Sequence, residues 1–196
     1  MNLFWRCFAF AVVMTASAMH VDAQDWKSVL GDAVKNVVGD KMTTETSILG
    51  TWTYVEPECQ FESDNILSKA GGEFASKEVE EKLQQIFERV GVDSCQYVFN
   101  EDGSFSFRAK GRTMKGTYAF DKEAKTVEMK TKLGITSTAY VTVAGQDMSL
   151  VFNADKLMSA LKTFSNTAQK YSSSVAAFNK LASKFDGMKL GFKLKK

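Results

Sequence analysis

The sequence has one proline, one histidine and three cysteines, and its charges nearly cancel, with 25 basic residues against 23 acidic for a net charge of +2. Each scarcity excludes something. A balanced charge provides no field to hold nucleic acid or an anionic membrane surface. No apolar run approaches the ~20 residues of a membrane-spanning helix. The longest, CFAFAVVMTASAM, follows Arg6 and leads to Val21-Asp22-Ala23, whose −3 and −1 positions suit signal peptidase. Residues 1–23 therefore read as a signal peptide cut after Ala23, and the expected location is periplasmic or secreted.

Cleavage there removes His20 and Cys7, so the mature chain has no histidine. That excludes a Ser-His-Asp relay, a Cys-His pair and a histidine-ligated zinc. There is no phosphate loop and no dinucleotide fingerprint, so no cofactor and no metal is expected. A pair of carboxylates could still hydrolyse a glycoside, and this is the one enzymatic route left formally open. The acidic residues, however, lie mostly on helix faces and in turns, where solvation explains them. The expectation is a protein that is not an enzyme. The two remaining cysteines, Cys59 and Cys95, in an exported chain read as one disulfide. The alternative is two buried thiols acting as small apolar side chains.

What the sequence has in abundance is alternation. From Gly103 to Phe152, the segments SFSFRA, TMKGTYAF, TVEMKTKL, ITSTAYVTV and DMSLVF alternate apolar and polar residues between Gly- and Asp-rich turns. Period-two patterning with this punctuation predicts antiparallel strands joined by hairpins, with one face buried and one wet. Leu49–Val55 predicts an earlier strand ended by Pro57, and Cys95–Asn100 another. Met188–Lys196 alternates again and predicts a last strand that can pair with the first. About eight strands is the count at which a barrel is either filled by side chains or holds one small ligand.

Helical spacing appears in three places. Gln24–Asp40 carries Trp26, Val29, Leu30, Val34, Val37 and Val38 on one stripe, followed by a polar linker to Ser47. Lys77–Arg89 carries Val79, Leu83, Ile86 and Phe87, capped by Ser76 and stopped by Gly91. Asn153 can cap a helix with Leu157, Leu161 and Phe164, and Val175, Phe178, Ala182 and Phe185 stripe a further one. The division is thus a signal peptide (1–23), a helix and linker (24–47), and a barrel (48–196) with helical insertions at 58–92 and 153–186. In an up-and-down barrel, connections after odd-numbered strands share one end. The insertions follow the first and seventh strands, so both should sit over one mouth, with the N-terminal helix and Trp52 near the other.

Gly50-Thr51-Trp52 at the first strand resembles the G-x-W of lipocalin-like (calycin) barrels. LGTWTYVEP, FESDNILSKAGG, the VEEKL helix and DGMKLGFKLKK together resemble a lipocalin-like family of unknown function from exported Bacteroidetes proteins. The resemblance implies an eight-stranded up-and-down antiparallel barrel, mainly β with helical insertions. By analogy with lipocalins it also implies a small hydrophobic or amphipathic ligand in the barrel. The candidate lining is Trp52, Tyr54, Tyr97, Phe99, Phe105, Phe107, Met114, Tyr118, Phe120, Met129, Met148, Phe152 and Phe192. The alternative is a barrel filled by these same side chains, working as an interaction module through its helices. An outer-membrane barrel fits poorly, since the strands are short and aromatic girdles are lacking.

Overall fold

The computed structural model describes residues 43–61, 72–164 and 187–196. The signal segment, the helix expected at 24–40 and most of the second insertion lie outside the described residues. The elements run β1 (Gly50–Phe61), α1 (Gly72–Val90), β2 (Gln96–Phe99), β3 (Ser104–Ala109), β4 (Arg112–Asp121), β5 (Thr126–Thr131), β6 (Thr136–Ala144), β7 (Asp147–Asn153), α2 (Ala154–Phe164) and β8 (Met188–Lys195). All neighbours pair antiparallel, and β8 pairs with β1 as well as β7, so the eight strands close into a barrel. Closure leaves each strand paired on both sides over part of its length, which is how a β-protein without a second sheet avoids open edges.

The register sets which side chains share a face. Trp52, Tyr97, Phe107 and Met114 lie opposite one another across β1 to β4. One row towards the start of β1, Phe99 and Phe105 are joined by Gly116. Farther round, Tyr118 faces Met129, and Val143, Met148, Leu194 and Tyr54 continue across the β6 to β1 seam. These rows are apolar and turned inward, while their neighbours Thr51, Thr53, Arg108, Lys115 and Glu128 are exposed.

β1 is longer than its sequence suggests. Between Tyr54 and Glu56 the pairing with β8 slips, leaving Val55 as the extra residue of a bulge. The slip reverses the alternation: Trp52 and Tyr54 face in before it, and Pro57, Cys59 and Phe61 face in after it. Pro57 does not end the strand. Cys59 directs its N–H away from β8, and by alternation so does position 57, so the proline lacks a donor only on the edge that β2 leaves uncovered. The first insertion therefore starts after Phe61 rather than at 58.

The disulfide is also corrected. Cys59 and Cys95 are both buried free thiols. The Cys95 carbonyl accepts from the Tyr54 N–H, and Cys59 lies five residues farther along β1. Extended chain puts about 15 Å between those positions, against the ~7 Å limit on Cα separation for a bridge. Burial pushes both thiols up to about 12, so neither is a ready nucleophile.

Staggered closure leaves two strand ends protruding, and a flanking segment finishes each. Past Thr53, β1 has no β2 partner, and there the Glu80 carboxylate of α1 accepts the Cys59 N–H at 3.2 Å. At the opposite end, Thr43 Oγ1 accepts the Val143 N–H of β6 at 2.9 Å, and Lys125 Nζ donates to the Thr43 carbonyl at 2.9 Å. Thr43 is fully buried. The polar stretch expected to be a linker is, from Thr43 onward, a turn fastened across the barrel end, held by Thr44–Ser47 bonds and anchored by buried Ile48.

Candidate functional site

The connections after β1, β3, β5 and β7 all fall at one end of the barrel, so α1 and α2 both start from the same mouth. α1 stretches from the β1 end to the β3–β4 turn, where Gly91 sits against the Lys110 side chain. Its stripe of Val79, Leu83, Ile86, Phe87 and Val90 is buried. Phe87 reaches inside, stacked on Phe192 with centroids 4.8 Å apart and edge-on to Tyr54 at 6.0 Å. The Tyr54 hydroxyl bonds Gln84 of the same helix, so one side chain ties the lid to the strand beneath it. α2 buries Leu157, Met158 and Leu161 and packs on β7 and β8.

The opposite end is sealed. Trp52 is fully buried, and its indole N–H donates to the Ile48 carbonyl at 2.7 Å. The Lys196 ammonium sits 4.8 Å from the centre of the indole ring. Gly50 precedes it with φ +111°, a backbone that glycine alone adopts without strain, which is the physical content of the G-x-W triplet.

Between lid and floor the expected lining residues all take the inward face. Tyr97 is the hub. Its ring contacts Phe99 at 6.2 Å, Phe107 at 4.8 Å and Phe192 at 5.8 Å. Phe99 continues to Phe105 and Tyr118, and Phe192 continues to Phe152. Met129, Met148, Phe105 and Phe152 are buried, whereas Met114, Tyr118 and Phe120, all on β4, are only half-buried. Tyr118 directs its hydroxyl to the Asn100 carbonyl at 2.9 Å, away from the centre. Sequence patterning located these residues and put Phe87 on a helical stripe, but that stripe could equally have packed outside the barrel. Leu133 and Ile135, 83% and 45% exposed, stand on the β5–β6 turn at the helical mouth.

Among the described residues the interior is uncharged. Among the described residues the buried polar or charged positions are Thr43 and Glu58. Glu58 lies opposite Gly191, so it faces outward. Its Oε1 accepts from Gln60 Nε2 at 2.6 Å, and its Oε2 has no partner. Burial pushes this carboxyl up, against the pull of Gln60, Ser149 and Lys193, and Glu80 adds to the rise. A carboxyl raised on folding contributes stability that is complete below the ordinary carboxylate range and is lost as pH climbs through the folded value. Glu58→Gln should therefore stabilise the protein by about 1–3 kcal/mol above that value and by little at acid pH, as urea midpoints at pH 8 and pH 4 would show. Among the described residues no group of three or more His, Cys, Asp or Glu side chains could hold a metal ion, and no helix is long and apolar enough to cross a membrane.

The family model described as a lipocalin-like domain (DUF4923) matches residues 24–196. No curated protein matches the sequence. Among solved structures, a DUF4847 family protein from Bacteroides vulgatus ATCC 8482 is 16% identical, with 60% of this chain and 87% of that chain covered and a TM-score of 0.32.

Proposed function

The chain belongs to the lipocalin-like domain family DUF4923, and from that premise we propose that it is an exported, non-enzymatic binding protein that holds a small hydrophobic or amphipathic molecule inside its barrel. One observation carries the reading. The inner face of β4 keeps accessible surface at Met114, Tyr118 and Phe120, while the facing strands are buried. An apolar interior with one reachable wall, a floor at Trp52 and a helix across the mouth is the arrangement that takes an apolar guest out of water. Export rests on the N-terminal sequence, with its Arg6, short apolar run and Val21-Asp22-Ala23.

A second reading has its own support. The rings from Phe87 through Phe192 and Tyr97 to Phe107 touch across the barrel, as a side-chain-filled core would. That favours an interaction module using the helices. Native mass spectrometry of protein purified from its own host, together with Nile Red titration, separates the two. The binding reading expects a co-purifying lipid-like mass and saturable dye uptake that Phe87→Ala alters. A clean ligand-free mass with no uptake by either form would leave the interaction module.

A further inference from the structure

Among the described residues, Tyr97 is the one inward-facing tyrosine whose hydroxyl is left without a hydrogen bond. Tyr54 bonds Gln84 and Tyr118 bonds the Asn100 carbonyl. The Tyr97 ring lies among Phe99, Phe107 and Phe192 with 6% of its surface accessible, and among the described residues its hydroxyl has no partner. Among the described residues the buried side-chain oxygen or nitrogen without a partner is Glu58 Oε2, so the unpaired Tyr97 hydroxyl keeps surface that a small molecule can reach. Its cross-strand neighbours are Trp52 and Phe107, and Phe107 in turn lies opposite Met114, the half-buried residue on the reachable wall of β4. The row Tyr97, Phe107, Met114 thus runs from an unpaired hydroxyl to the accessible side.

We propose that Tyr97 is a ligand-anchoring residue, and that the molecule held in the barrel is a neutral amphiphile whose single oxygen function, a carbonyl, ester or hydroxyl, meets the Tyr97 hydroxyl while its apolar body lies along Phe107 and Met114. Neutrality follows from the surroundings. The one buried charged side chain among the described residues, Glu58, is acidic and faces out, so a carboxylate or phosphate brought to Tyr97 would find no counter-ion. A molecule with no polar atom would leave the hydroxyl unmet. The burial that keeps Tyr97 protonated suits it to donate to a neutral oxygen.

This inference rests on the binding reading and is tested by displacing Nile Red from the purified protein with 2-undecanone, undecane and undecanoate. The wild type should prefer the ketone. Tyr97→Phe should weaken the ketone about 3- to 10-fold and leave undecane unchanged, the size of one hydrogen bond. The thermal midpoint of ligand-free Tyr97→Phe should stay within about 2 °C of the wild type, because the hydroxyl makes no hydrogen bond to the described residues. Retention of the ketone preference by Tyr97→Phe, tightest binding of undecanoate, or a ligand-free midpoint lowered by more than that would each overturn the anchoring role while leaving the barrel a binder. No uptake of dye by either form would overturn the binding reading itself, and the anchor with it.

Discussion

Trp52→Ala is expected to lower stability by about 3–5 kcal/mol, the range for removing a fully buried aromatic side chain. Three losses combine. The indole leaves a cavity where it had no accessible surface. The Ile48 carbonyl loses its donor at 2.7 Å. The Lys196 ammonium loses the ring beneath it. Since Ile48 belongs to the turn that crosses the barrel end, the damage should spread to Thr43 and its bond to Val143. Urea denaturation monitored by far-ultraviolet circular dichroism measures the change. Hydrogen exchange should show Val143 losing protection before the rest of the sheet does, and a loss under about 1 kcal/mol would mean the floor is held by other contacts.

Gly191→Ala should be comparably severe for a different reason. A Cβ at Gly191 would lie 2.7 Å from the Val151 Cα and closer still to the Leu150 carbonyl oxygen. Both obstacles are backbone of β7, so no rotamer change relieves them. To admit the methyl, β8 must move away from β7 over the stretch where Phe192 faces Leu150 and Leu190 faces Phe152. Overpacking into movable side chains costs about 1–3 kcal/mol, and a backbone obstacle at a barrel seam should cost at least the upper end of that range. The same urea assay applies. A near-neutral result would show the seam to be loose enough to slide.

Why some features were readable in the sequence and others were not comes down to what alternation encodes. From β3 to β6 the pattern of one residue in and one out matches the observed burial, because tight hairpin turns give strands no freedom to change phase, whereas in β7 the outward-facing Val151 is buried as well. β1 fails the same reading because Val55 shifts the phase in mid-strand, so Pro57, Cys59 and Phe61 looked like the start of a loop. Pro57 added a wrong stop, since its effect depends on which edge lacks a partner, and that is a property of the neighbouring strand. Thr43 carried no signal at all: a polar residue that completes a ladder through its side chain is indistinguishable in sequence from one in a linker. The inward row was legible residue by residue. Phe87 within it was not, because a helical stripe says that one face is buried but not against what. The two cysteines misled because cysteine count reports redox compartment, whereas bridging depends on a separation that β1 makes too long.

The meeting of Lys196 with Gly50 has a topological consequence. Lys196 also donates its backbone N–H to the Gln146 carbonyl, so the end of β8 is fixed beside the start of β1 and the β6–β7 turn. Around a closed ring of hairpins, first and last are labels given by the genetic message, not by the architecture. A gene rearranged to splice Lys196 to the segment before Ile48, and to begin instead at the exposed Gly134 turn, would encode the same cylinder with every pairing intact.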